Sequence, residues 1–338
     1  MKAAVLIKNG DAASAFEMRE TAKPQPQKDE VLIKVAAFGL NFADVMARRG
    51  MYKEAPPIPA VLGYDVAGIV EATGADVNNV KAGDRVTAMT RFGGYAEYAV
   101  TKASAVAVID ANMDFATATA LTTQYCTAYY TAAEMVNLHK GDKVLIQSGA
   151  GGVGTALIQF AKHKGCEIFS TAGSDAKLQY LSSLGVQHPV NYTTQDFETE
   201  IKRLTNGKGV DVIFDAVGGS SVKKGFRSLA AGGRLICYGA AGMSDKNIFG
   251  KIKAAVGFGF YHPLMFMMPS KAIIGINMLR IADDKPEVVQ RCLEAVIRLT
   301  GEGVFKPNIG KVFPVNEIAA AHEYLEKRKS MGKIVVTW

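Results

Sequence analysis

Three glycines set between an apolar strand and an amphipathic helix are the residues of this chain best placed to do chemistry. The run Val144-Leu145-Ile146-Gln147-Ser148-Gly149-Ala150-Gly151-Gly152-Val153-Gly154 leads from a strand into a turn and then into a helix predicted over 153–164. That order suits the pyrophosphate of a dinucleotide. Gly149 is expected to permit the tight turn, Gly151 to let the backbone approach the phosphates, and Gly154 to let the helix pack close to the strand. The helix start, with Gly152 and Val153, offers N–H groups and a positive dipole end to the anion. A glycine turn holding no ligand would share the bare pattern, so the flanks decide. Val153, Ala156, Leu157, Phe160 and Ala161 recur on one helical face, and Gly165 stands where a helix end favours a left-handed residue.

The residues that follow bear on which dinucleotide is held. An NAD site places an acid about 20 residues further on, against the ribose 2′-hydroxyl. The second strand, over 167–171, runs instead into Ala172-Gly173-Ser174, and Lys177 lies just beyond, where an ammonium meets a 2′-phosphate. NADPH is the cofactor expected. Asp175 is the competing signal, explained as a first-turn helix acid with Ser174 as N-cap.

These groups need a scaffold, and the pattern supplies one. Apolar runs over 186–190, 210–215, 233–239 and 272–276 add four more strands, as in a parallel sheet covered by helices on both faces. The fold class is therefore α/β, with a Rossmann doubly wound sheet over 124–280. The remainder, 1–123 with 281–338, reads as a strand-rich, partly open barrel. Its strands are expected over 31–38, 67–72, 84–88, 95–100 and 333–337, with helices over 286–300 and 316–328, the latter capped by Asn316. Residues 1–8 alternate like a strand and are too short an apolar run for a signal peptide.

Composition narrows the function classes. The 338 residues are 49% hydrophobic and 21% charged, which suits two globular domains with full cores. The net charge of +7 comes from dispersed residues with no basic run, which argues against nucleic acid as a partner. Four scattered cysteines and five isolated histidines point to a reduced, metal-free, cytoplasmic protein. The most apolar stretch, 254–268, is broken by His262-Pro263 and is shorter than the roughly 20 residues of a membrane span. Core, lid or subunit contact is its expected role. Lys251 and Lys253 leave interfacial membrane contact as a less favoured reading.

Spaced motifs then carry a resemblance. Gly39-Leu40-Asn41-Phe42-Ala43-Asp44, Arg49-Gly50-Met51-Tyr52, Leu62-Gly63-Tyr64-Asp65-Val66-Ala67-Gly68, Gly83-Asp84-Arg85-Val86 and the glycine turn together resemble the zinc-independent quinone oxidoreductase (zeta-crystallin-like) branch of the medium-chain dehydrogenases/reductases. Thr90-Arg91-Phe92-Gly93-Gly94-Tyr95-Ala96-Glu97 and the apolar insert 248–269 are most similar to the synaptic vesicle amine transport protein homologue subgroup.

The resemblance implies a GroES-like fold for the strand-rich domain and a hydride transfer to a quinone or an α,β-unsaturated carbonyl. Where zinc-dependent members carry Cys, His and Cys, this chain has Asn41, Tyr64 and Thr123, none an ordinary zinc ligand. It also implies that Asn41, Tyr52, Tyr64 and Thr127 surround the nicotinamide and substrate. Asp44 reads equally as part of a proton path and as a helix cap or ion-pair acid, and Tyr52 and Tyr64 equally as donors and as pocket walls. Lys177, Tyr192 and Arg328 match positions around the 2′-phosphate, with Gly173 leaving room for it. Backbone groups over 238–242, with Gly239, and over 277–279, with Asn277, match further cofactor contacts. A homodimer joined along the edge strand 272–276 is implied as well. The alternative is an NADPH-binding protein with a mainly structural, membrane-associated or regulatory role.

Overall fold

The structure is a computed structural model describing residues 1–243 and 256–338. Part of the apolar insert, with Lys251, Lys253 and Ala254, lies outside the described residues. The chain divides into two compact units: Met1–Thr127 with Met278–Trp338, and Ala128–Asn277.

The first unit begins with β1 (Lys2–Leu6), β2 (Phe16–Glu20), β3 (Glu30–Leu40), β4 (Ala60–Val61), β5 (Asp65–Thr73), β6 (Arg85–Met89), β7 (Tyr98–Lys102) and β8 (Val106–Val108). The second holds β9 (Lys143–Ile146), β10 (Glu167–Ala172), β11 (His188–Asn191), β12 (Val210–Asp215), β13 (Leu229–Cys237) and β14 (Ala272–Gly275). The chain then returns to the first unit for β15 (Ile309–Pro314) and β16 (Lys333–Thr337).

The second unit is a parallel sheet in the order β11-β10-β9-β12-β13-β14, the doubly wound arrangement. Val144, Leu145, Ile146, Val212, Ile213 and Phe214 are wholly buried at its centre. Their unbroken apolar runs follow from helices covering both faces. Strand β14 is left at the edge. Beside it in the chain, Phe258, Tyr261 and Phe266 pack toward Phe226 and its core cluster, whereas Phe260, Met267 and Met268 stand in solvent.

In the first unit the sheet runs β15-β16-β3-β5-β6-β8, with β7 also on β3, and β2-β1-β4 forms a smaller sheet. The described strands make an open arrangement and no closed barrel. Strand β3 is its spine, pairing with β5, β7 and β16, and is buried along most of its length. One predicted helix differs. After Pro314 the chain makes a single 3-10 turn, Val315–Glu317, so the helix runs only over Ile318–Glu326 and Glu317, not Asn316, occupies the cap position. Arg328 lies beyond its end with a left-handed φ of 55°.

Candidate active site and cofactor cradle

The glycine turn joins β9 to the helix Gly152–His163, with Gly151 at the cap position and no side chain capping it. The first N–H groups of an α-helix have no intrahelical acceptor, so this end is open to an anion. Each glycine has a physical reason. A Cβ on Gly154 would lie 2.6 Å from the Ser148 carbonyl oxygen and 2.7 Å from Gly149 Cα, so helix and turn touch only because it is absent. Gly149 differs from expectation. The left-handed residue of the turn is Ser148, with φ of 57°. Gly149 is required instead by packing, since its Cβ would fall 1.9 Å from Ser170 Oγ on β10. Ser148 is held in this conformation by its N–H donating to Thr171 Oγ1 at 3.1 Å, and that hydroxyl donates to Gln147 Oε1 at 2.7 Å.

At the end of β10, Gly173 and Tyr192 are brought together. A Cβ on Gly173 would lie 2.4 Å from the Tyr192 hydroxyl oxygen, so the phenol rests directly over the glycine. Ser174 takes the cap position of the helix Asp175–Leu184 but makes no capping bond, and Asp175 sits in the first turn. Lys177 lies half-buried on that helix. Gly239 follows β13, where its Cβ would be 2.7 Å from the Ala216 carbonyl oxygen, and Asn277 follows β14. Arg328 belongs to the first unit and is exposed.

The remaining predicted residues also lie in the first unit, where Asn41 and Asp44 sit in a buried polar cluster. Asn41 caps the helix Phe42–Arg48, and Asp44 Oδ2 accepts from the Asn41 N–H at 2.8 Å while Oδ1 accepts from the Gly63 N–H at 3.2 Å. Asp44 thus serves as a helix cap, the second of its two readings, and no bond here bears on the proton path. The Asn41 amide donates to Asp65 Oδ1 at 2.8 Å, and its oxygen accepts from Lys333 Nζ at 2.9 Å and Gln124 Nε2 at 3.4 Å. Lys333 also pairs with Asp65, both side chains being wholly buried.

Burial, reinforced by the Asp65 charge, raises the Asp44 carboxyl to about 7 against the opposing pull of two backbone N–H donors and Lys333. An unfolded Asp titrates near about 3.9. Its contribution to stability is therefore complete below about pH 4 and is lost as pH rises through about 7. Asp44→Asn is expected to reduce the fall in urea midpoint between about pH 5 and about pH 8. An unchanged fall would show that Asp44 is ionised throughout that range.

Tyr64 is 5% exposed, and its hydroxyl makes no hydrogen bond of ordinary length, although the Tyr52 hydroxyl interacts with it. Burial, then the nearby Asp44 charge, pushes its phenol far up, so it stays protonated and available as a donor. Tyr52 meets it edge-on at 6.2 Å between ring centroids, and Phe92 packs against it at 4.9 Å. Thr123 lies in a wide π-type turn, Leu121–Tyr125, and its buried hydroxyl is also without a partner. Such turns recur at functional sites. Thr127 donates its hydroxyl to the Thr123 carbonyl at 2.6 Å.

Zinc does not fit this donor set. Asn41 is committed to Asp65, Lys333 and Gln124, and a high-pKa phenol and a threonine hydroxyl are not ordinary ligands. Among the described residues no cluster of His, Cys, Asp or Glu has the makings of a metal site.

Sequence reasoning missed Asp65, Lys333, Gln124 and Phe92 as parts of this region. The first three carried a signal only jointly, because Gly39 leaves space for Lys333: a Cβ there would lie 2.1 Å from Lys333 Cε.

Two family models match the chain, an alcohol dehydrogenase GroES-like domain over residues 27–111 and a zinc-binding dehydrogenase over 152–294. Synaptic vesicle membrane protein VAT-1 homologues are similar throughout. That of Danio rerio is 34% identical over 93% of this chain and 65% of its own length, and that of Rattus norvegicus 33% identical over 95% and 80%. The chain thus spans just under two thirds of the first of these relatives. Among solved structures, Escherichia coli quinone oxidoreductase complexed with NADPH superposes with a TM-score of 0.87 at 25% identity, each chain covered in full. The CurK enoyl reductase superposes with a TM-score of 0.86 at 28% identity over 99% of each chain. Among the described residues no helix is long and apolar enough to cross a membrane. With the parallel sheet, the glycine turn and these matches together, the chain belongs to the medium-chain dehydrogenase/reductase family of oxidoreductases, close to the VAT-1 homologues and the quinone oxidoreductase-like proteins.

Proposed function

We propose that this protein delivers hydride from NADPH to an acceptor that is already electrophilic, a quinone or an α,β-unsaturated carbonyl, without a metal ion. The observation that carries the reading is the buried hydroxyl of Tyr64, which makes no hydrogen bond of ordinary length. A buried hydroxyl left without a partner costs about 1–3 kcal/mol, which a ligand oxygen would recover. By family resemblance Tyr64 matches a position where zinc-dependent members carry a metal ligand. NADPH supplies the hydride when bound. The first-turn N–H groups after Gly151 would hold its pyrophosphate, and Lys177 and Tyr192, beside the open face of Gly173, its 2′-phosphate. Arg328 is assigned to the same phosphate by family resemblance. Tyr64 would donate toward the acceptor oxygen that gains charge, and the Thr123 hydroxyl and the second Asn41 N–H would be further donors. So high a phenol pKa suits hydrogen bonding rather than proton release.

Oxidation of NADPH by a panel of quinones and enones tests the proposal. Turnover is expected with NADPH preferred over NADH, and a chelator should leave it unchanged. Lys177→Ala should erase about ten-fold of the preference, as expected for one charge-assisted hydrogen bond. Loss of turnover on chelation with recovery on adding zinc would overturn the metal-free reading. Equal affinity of the unmodified protein for both cofactors would overturn the phosphate assignment.

The exposed Phe260, Met267 and Met268 favour a second reading, an NADPH-binding protein with a mainly structural or membrane-associated role. Binding of NADPH with no acceptor reduced would select it. We also propose a cytoplasmic homodimer joined along β14, the edge strand of the sheet among the described residues. Sedimentation as a dimer at micromolar concentration is expected, and a monomer throughout that range would refute it.

A further inference from the structure

Phe92 is a bulky aromatic residue in the left-handed region, with φ of 65°. Only glycine enters that region without strain, and such outliers persist where surrounding structure imposes them. Here the imposition is visible on both sides. Thr90 is fixed by its N–H to the Tyr64 carbonyl at 2.7 Å and its hydroxyl to the Gly63 carbonyl at 2.9 Å. Gly93 N–H donates to the Val61 carbonyl at 3.0 Å. Between them Arg91 pairs with Asp283 at 2.9 Å and lies 3.8 Å from Glu54, which also takes Arg280 at 2.6 Å. These ion pairs tie the Phe92 turn to the Tyr52 loop and to the helix Met278–Asp284.

What the strain preserves is the place of a ring. Phe92 is half-buried and tilted against Tyr64 by 50°, and Tyr52 meets Tyr64 at 88°. The rings of Phe92 and Tyr52 thus both pack against that of Tyr64, whose buried hydroxyl makes no hydrogen bond of ordinary length. Part of Phe92 packs on the unit's core, but packing alone would be met by an unstrained residue.

We propose that Phe92 is a specificity-determining residue, which with Tyr64 and Tyr52 forms an aromatic wall that selects flat ring acceptors, quinones and cyclic enones, over open-chain enoyl acceptors. The inference rests on the oxidoreductase reading and deepens it. A planar conjugated ring presents its face or edge to the three rings at once, with its carbonyl oxygen toward Tyr64, whereas a flexible chain loses rotational freedom to make fewer such contacts.

The test compares kcat/KM of the full chain, with NADPH, for a naphthoquinone, a cyclic enone and an open-chain enal. Phe92→Leu should lower the ratio of ring to open-chain kcat/KM by about five- to ten-fold, the worth of one aromatic contact, with NADPH affinity unchanged. Phe92→Tyr, which keeps the ring, should retain the ratio. Phe92→Gly, which the backbone accepts without strain, should stay folded and show the same selective loss, so the outcome does not depend on the leucine variant alone. Parallel losses for all three acceptors, or a tyrosine variant behaving like leucine, would overturn the proposal. If the unmodified protein binds NADPH and reduces none of the three, the oxidoreductase reading fails and takes this inference with it.

Discussion

Replacing Lys333 with methionine is expected to destabilise the protein by about 3–5 kcal/mol, the range measured when one partner of a buried ion pair is removed. Lys333 and Asp65 are both wholly buried, and the lysine also donates to Asn41 at 2.9 Å. Its path is closed to solvent, because the side chain crosses β3 over Gly39, where even a Cβ would collide. In the variant the Asp65 carboxylate would be left with the Asn41 amide as its remaining side-chain donor. The double variant Lys333→Met/Asp65→Leu should recover most of the stability, since an apolar pair of similar volume is close to neutral in such places. Urea unfolding of the two variants measures both numbers. A single variant that loses less than about 1 kcal/mol would mean that the pair is solvated, not buried.

Tyr64→Phe is expected to lower turnover by about a hundred-fold, on the order of 3 kcal/mol for one well-aimed donor, with NADPH affinity nearly intact. The change removes only an oxygen that makes no hydrogen bond of ordinary length in the fold, so stability should change little. Asn41→Ala should also reduce turnover, and it should cost stability as well, because its amide bridges Asp65 and Lys333. The two variants are thus separable by their unfolding midpoints. If both leave kcat unchanged, these residues are walls of the site and the acceptor is handled by position alone.

The cofactor unit was legible because its signals are local. A buried parallel strand is a continuous apolar run, and a phosphate turn needs glycines at short fixed spacing, so β9, β12 and β14 were found nearly to the residue. Even so, the reason for Gly149 could not be read, since Ser170 lies on another strand and Ser148, a residue that ordinarily avoids positive φ, makes the turn. The first unit was harder. Lys333 at the start of a strand reads as a solvated charge, and its burial depends on Gly39 and Asp65 far away in the chain. Phe92 is illegible for a sharper reason: local preference argues against a left-handed aromatic, and what imposes it is distant in the chain, the Arg91–Asp283 ion pair and the bonds of Thr90 and Gly93 to residues around Tyr64. Asn41 was found by motif, yet the motif did not reveal that most of its hydrogen-bonding capacity is already taken.

The place of β16 between β3 and β15 has a consequence for the order in which the molecule is made. Asp65 and Lys333 are 268 positions apart, and the whole of the second unit is synthesised between them. That unit is one uninterrupted segment and can close its own sheet as it emerges from the ribosome. The first cannot: the stretch Ala37–Leu40 of β3 waits without its β16 partner, and Asp65 must remain hydrated, until β16 slides in and brings the lysine over Gly39. The ion pair is then a latch that engages only when both distant halves are present. Premature burial of the early strands is discouraged by the unmatched carboxylate itself, which protects the waiting edge from pairing with another chain.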